Sequence, residues 1–264
     1  IIIALAILSF IYAVISLFKK KVAIKEIFTL GTLFYMALLI LSGILLKNTH
    51  YTQWDEFSHW GPNLKAMVTY DTFWSNHVYD GIHVVYQPLA GIIEYLFCYL
   101  NGGFAEDVSY MAMSTFVITL LLPLYRRLTY TNKDFIKGIF ISFIVYCLVY
   151  IFGFSFNSIY IDLLLAVLFA ISMLYSYWQE EKEDLFITFL LLISMVLLKD
   201  TGLLLAGIVL LQLFIQNIFM PIVKQKKIKK ENVIKFAVLC MVLVILLVSY
   251  STWKFYCRAN GKQL

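Results

Sequence analysis

Apolar residues run along the chain in blocks, at residues 1–18, 27–46, 108–125, 138–156, 159–178, 185–198, 203–220 and 233–253. Most blocks approach the roughly 20 residues that an α-helix, rising 1.5 Å per residue, needs to cross about 30 Å of hydrocarbon. The pattern predicts an all-α polytopic membrane protein with about eight transmembrane helices, forming a single transmembrane domain over residues 1–264. The longest polar interval, residues 47–107, lies between the second and third blocks. Inside it Pro88 opens a short apolar stretch, P-L-A-G-I-I-E-Y-L-F-C-Y-L-N, which Glu94 interrupts and Gly102-Gly103 closes. That stretch reads as a juxtamembrane helix, interfacial or re-entrant, rather than a crossing.

Composition narrows the class. Of 264 residues 62% are hydrophobic, and the mean hydropathy is +0.84, which excludes an ordinary soluble domain. No soluble domain of useful size and no internal repeat stands out. The net charge of +5 does not indicate a nucleic-acid partner, because the basic residues cluster beside apolar blocks as orientation signals do. If the links at 19–26, 126–137, 179–184 and 224–235 face the cytoplasm, they hold 15 of the 21 Lys and Arg. Residues 47–107 are then extracytoplasmic. A crossing at 88–101 would put Arg126 and Arg127 outside while Lys19, Lys20 and Lys21 stay inside, so the charge pattern opposes it. Cys98, Cys147, Cys240 and Cys257 are scattered without a CxxC or metal-ligand spacing, and three of them, in or next to apolar segments, read as packing residues. The chain opens on Ile1 inside an apolar block, without a cleavable signal-peptide pattern, and is expected to be a piece of a longer one.

Candidate chemistry gathers in Y-T-Q-W-D-E-F-S-H-W-G-P-N-L-K, residues 51–65, and all four histidines, His50, His59, His77 and His83, fall within residues 50–83. The adjacent carboxylates of Asp55 and Glu56 suit proton abstraction from a nucleophile or capture of a divalent cation. The competing reading makes Asp55 a helix N-cap, although Gly61-Pro62 interrupts a regular helix. His59 could orient Asp55 or ligate a metal at i, i+4, or simply be solvated. His77 and His83 have no spacing partner. Trp54 and Trp60 could stack on a sugar ring, whereas Trp74 reads as an interfacial anchor. Further on, Asp162 stands near the outer start of a helix, as a cap or as part of a site. Lys199-Asp200 follows a block of only 14 residues, 185–198, roughly 21 Å of helix, and so is expected below the outer surface. The two form a self-satisfied ion pair or a phosphate contact, and Gly202 permits a close backbone approach.

The order of these elements resembles the GT-C class of membrane glycosyltransferases, including protein O-mannosyltransferases and the aminoarabinose transferase of lipid A. W-D-E-F-S-H-W-G-P-N-L-K-A-M resembles the acidic motif of the class's first long outer loop. Tyr86-Gln87-Pro88-Leu89 resembles the Pro-containing start of the following amphipathic helix, although Gln87 stands where many relatives carry Lys or Tyr ahead of a double Pro. Asp162 resembles the acidic residue that starts a later helix, and Lys199-Asp200-Thr201-Gly202 the Lys- and Gly-containing break. The resemblance spans roughly residues 27–220 and lacks the large outer domain of some relatives.

What it implies is transfer of a sugar from a polyprenyl-phosphate or diphosphate donor to a glycan, lipid or protein acceptor. The site would face outward from a bacterial plasma membrane. Asp55 would be the general base, with Glu56 as its catalytic neighbour. Glu56 and Asp162 would bind a divalent cation (Mg, Mn or Zn) or shape the acceptor site. Lys199 would contact the donor phosphate, beside the substrate-binding residues His59, Gln87 and Asp200. Two other readings stay open: a transporter or flippase for a lipid-linked or anionic substrate, and a non-catalytic assembly or immunity protein.

Overall fold

A computed structural model describes residues 11, 14–15, 17–18, 27–76, 81–151, 158–179 and 182–262. Most of the first apolar block, the lysines at 19–21 and 25, His77, Asn157 and Glu180 lie outside the described residues. Every described apolar block folds as helix, and no strand occurs among the described residues. In chain order the helices are α1 (Leu30–Leu46), α2 (Gly61–Tyr70), α3 (Leu89–Asn101), α4 (Glu106–Leu121), α5 (Asn132–Ile151), α6 (Ile161–Trp178), α7 (Lys182–Leu198), α8 (Thr201–Phe214), α9 (Met220–Gln225) and α10 (Lys230–Ala259). A 3-10 turn, Leu122–Tyr125, extends α4.

Among the described residues four helical segments are long and apolar enough to cross a membrane: Glu106–Tyr125, Ile161–Trp178, Thr201–Gln225 and Lys230–Ala259. Leu30–Leu46, Leu89–Leu100 and Asp184–Leu198 are shorter apolar helices. Large apolar side chains such as Ile40, Ile44, Leu204, Leu211, Val244 and Val248 are exposed along them. Apolar surface on that scale fits lipid rather than water, and the chain is an all-helical membrane-integral protein.

Two π-turns share one cause. Glu56–Trp60 precedes Gly61-Pro62, and Ile215–Phe219 precedes Met220-Pro221. Proline has no N–H and its ring collides with the carbonyl four residues back. A turn with i→i+5 bonds relieves both problems: Gly61 N–H donates to Glu56 O, and Met220 N–H to Ile215 O. The Gly61-Pro62 step expected to interrupt the helix is thus absorbed into it. Gly61 has its own reason to be glycine, since a Cβ would lie 2.4 Å from the Tyr51 ring.

The chain divides into two compact units, Ile1–Asp71 with Gly91–Tyr160, and Thr72–Ala90 with Ile161–Leu264. In the first, α1 packs on α4 and α5. Ser42 and Ser114 share a buried 2.5 Å hydrogen bond across the α1–α4 contact, the small-polar packing usual between membrane helices. In the second, α6, α7, α8 and α10 enclose Leu164, Leu168, Leu192, Met195, Val209, Leu213 and Leu246. The α7–α8 link is tight: a Cβ on Gly202 would lie 1.9 Å from Met195 O. The close approach expected at Gly202 is therefore made by the chain's own α7 carbonyl.

Candidate functional site

In the first unit the acidic pair divides sharply. Glu56 is 0% exposed. Its Oε2 accepts from Thr52 N–H (2.9 Å), Gln53 N–H (2.9 Å) and the Tyr110 hydroxyl (2.9 Å), and its Oε1 from Ile159 N–H at 3.3 Å. A carboxylate can accept this many donors, and here it fastens the loop to α4 and to the segment ahead of α6. Asp55 is half-buried, and its side chain makes no capping hydrogen bond. Its backbone is already helical (φ −67°, ψ −26°), whereas an N-cap is extended, so the N-cap reading does not hold. Asp55 N–H donates to the Tyr160 hydroxyl at 3.3 Å. The aromatic edge contacts of Tyr51 with Tyr110, Phe57 and Phe104 brace the loop from behind.

His59 is buried, with Nδ1 2.8 Å from Ser58 Oγ and its ring 4.7 Å from that of Trp60. Trp54 is exposed. Trp74 is not an interfacial anchor: it is buried in the second unit, donates Nε1–H to Val84 O at 3.1 Å and packs on Phe73 and Trp253. Glu94, on α3, is buried rather than facing water. Burial, and next the Glu56 carboxylate, push its carboxyl well above the ordinary carboxylate range. Glu94 is therefore expected to hold its proton beside the Glu56 carboxylate.

The second unit gathers Gln87, Asp162, Lys199, Asp200 and Lys254. Lys199 Nζ donates to Asp162, across α7 and α6. Asp200, at the start of α8, pairs instead with Lys254 of α10 at 3.0 Å and accepts from Gln87 Nε2 at 3.1 Å. The Lys199-Asp200 step, which links α7 to α8, is thus not a self-satisfied pair: Lys199 reaches α6 and Asp200 reaches α10. Lys254 also donates to Val85 O at 3.4 Å, and Trp253 Nε1–H to the same carbonyl at 3.1 Å. These ties hold residues 84–87 against α10. Lys254 was not expected as a site residue. A single lysine near the end of an apolar block looks like an ordinary flank, and only its Asp200 contact sets it apart.

Among the described residues no three His, Cys, Asp or Glu side chains converge as for a metal ion. Of the two expected metal ligands, Glu56 has no exposed oxygen and four donors upon it, and Asp162 holds the Lys199 ammonium. This donor set does not fit a divalent cation, which needs open, oxygen-rich coordination, and no step is derived through one. The chain matches no protein-family model, no curated protein and no solved structure.

Proposed function

We propose that the chain is a GT-C-type membrane glycosyltransferase that moves a sugar from a polyprenyl-phosphate donor to an acceptor hydroxyl at the outer face of a bacterial plasma membrane. The observation that carries the reading is the division of roles in the acidic pair. Glu56 is consumed in fixing the loop, and Asp55 keeps an uncapped, half-buried carboxylate. Such a group suits a general base. Asp55 takes the proton from the acceptor hydroxyl as its oxygen bonds to the sugar's anomeric carbon. The bond from that carbon to the phosphate oxygen breaks, and polyprenyl phosphate leaves with the electron pair. Lys199, in the second unit, is assigned to binding the donor's phosphate, as the resemblance implies. The acceptor class, whether glycan, lipid or protein, is read by groups around Asp55, with Glu56 as a positioning residue.

The assay is release of polyprenyl phosphate from a polyprenyl-phosphate-linked sugar by the full chain in nanodiscs, with a membrane extract as acceptor source. Lys199 is 34% exposed and Asp162 54%, and an ion pair that open contributes little to folding. Lys199→Met is therefore expected to leave the melting temperature nearly unchanged and to weaken donor binding about tenfold. Unchanged affinity would return Lys199 to a purely structural pair.

The reading also carries eight crossings, with residues 47–107 outside and α3 not crossing. Single cysteines at positions 77 and 101 should both react with an impermeant reagent added to intact cells. Reaction at 101 only after permeabilisation would make α3 a crossing.

A further inference from the structure

We propose that Asp200, Gln87 and Lys254 form a subsite that reads hydroxyl groups of the donor's sugar, a proposal that rests on the glycosyltransferase reading and adds where selectivity for the sugar resides. The Gln87 amide has one possible orientation, because Nε2 donates to the Asp200 carboxylate at 3.1 Å. That leaves Oε1 as the buried carbonyl oxygen of a side chain only 1% exposed, and among the described residues it meets no hydrogen-bond donor. Buried carbonyl oxygens are almost always paired, so the position is built for a donor brought by something else.

The neighbours specify what brings it. Asp200 is an acceptor with 53% of its side chain exposed, and Lys254 an ammonium donor with 15% exposed. Two acceptors and one donor side by side match adjacent hydroxyls, each of which both donates and accepts. A phosphate offers acceptors alone and would meet the Asp200 carboxylate and the Gln87 oxygen as repulsive groups. Charge points the same way. Beside the neutral Gln87, Lys254 and Asp200 sum to zero, and the ammonium already holds the carboxylate. A neutral polyhydroxylated ligand enters such a cluster without leaving a charge unbalanced. Bonds from hydroxyls to ionised groups are the stronger kind. The site is also held in shape before any ligand arrives: Trp74 bonds to Val84 O, and Trp253 and Lys254 bond to Val85 O. Preorganisation of this kind converts contacts into affinity.

The test measures equilibrium binding of undecaprenyl phosphate, bare or carrying glucose, mannose, galactose or arabinose, to the full chain in nanodiscs. At least one sugar-bearing lipid should bind about tenfold or more tighter than the bare lipid. Gln87→Met, which keeps length but removes both polar atoms, should bring that lipid to the bare-lipid affinity. Asp200→Asn, at a more exposed position, should do the same and guards against misfolding of the buried variant. No sugar-dependent gain in the parent protein, a gain that survives both substitutions, or an equal loss for bare and sugar-bearing lipid would each overturn the subsite. Failure of every lipid to bind would overturn the glycosyltransferase reading as well, whereas binding without a sugar-dependent gain sinks the subsite alone.

Discussion

Asp55→Asn is expected to lower sugar transfer by at least about 100-fold, because a positioned base contributes 10²–10⁴-fold in proton abstraction. Asparagine keeps the shape and the hydrogen-bonding capacity and removes the basic oxygen. The fold should not notice. The Asp55 carboxylate caps nothing, and the one contact that ties the residue to Tyr160 runs through its backbone N–H. Donor affinity and melting temperature are therefore expected to stay at parent values, which makes the loss one of turnover. Near-normal transfer at saturating lipid donor would remove Asp55 as base and put translocation or an assembly role ahead.

The neighbouring substitution should behave in the opposite way. Glu56→Gln is expected to cost about 2–4 kcal/mol of stability, read by unfolding in detergent. A carboxylate serves the four donors at Glu56 with two oxygens, but an amide has one oxygen. If that oxygen faces Thr52, Gln53 and Tyr110, the amide nitrogen points its hydrogens at Ile159 N–H. The loop that presents Asp55 loosens, so activity falls too, but as a consequence of misplacement. A stable, well-folded and inactive Glu56→Gln beside an active Asp55→Asn would exchange the two roles.

Most of the helices were legible, because a bilayer demands long uninterrupted apolar blocks and the chain supplies them. The ends were less so. Apolar block 185–198 becomes a helix from Lys182, and the block at 203–220 continues through a π-turn to Gln225, since propensity and proline geometry act where hydropathy is silent. The candidate residues were visible as types but not as partners. Asp55-Glu56 looks like one functional pair, yet what separates them is Tyr110 and Ile159, which lie 54 and 103 residues from Glu56. Lys199-Asp200 invited a local ion pair, and the tight link between α7 and α8 sends each side chain to a different helix. Trp74 carries no mark in the sequence to distinguish a buried ring from an anchor, because both want an apolar body and a partner for the indole N–H.

The bonds from Trp253 and Lys254 to Val85 also order events in time. Trp253 lies 168 residues after its acceptor, so the two leave the ribosome roughly 8–34 s apart at 5–20 residues per second. Through that interval the stretch carrying Gln87 has been synthesised and α10, which must pin it, has not. Its final shape can be reached only once the last described helix has entered the bilayer. A nascent chain stalled before α10 can carry Asp55, Asp162 and Lys199 and still present Gln87 unlocked. Membrane insertion of α10 is thus the step after which the Gln87 stretch can take its described shape.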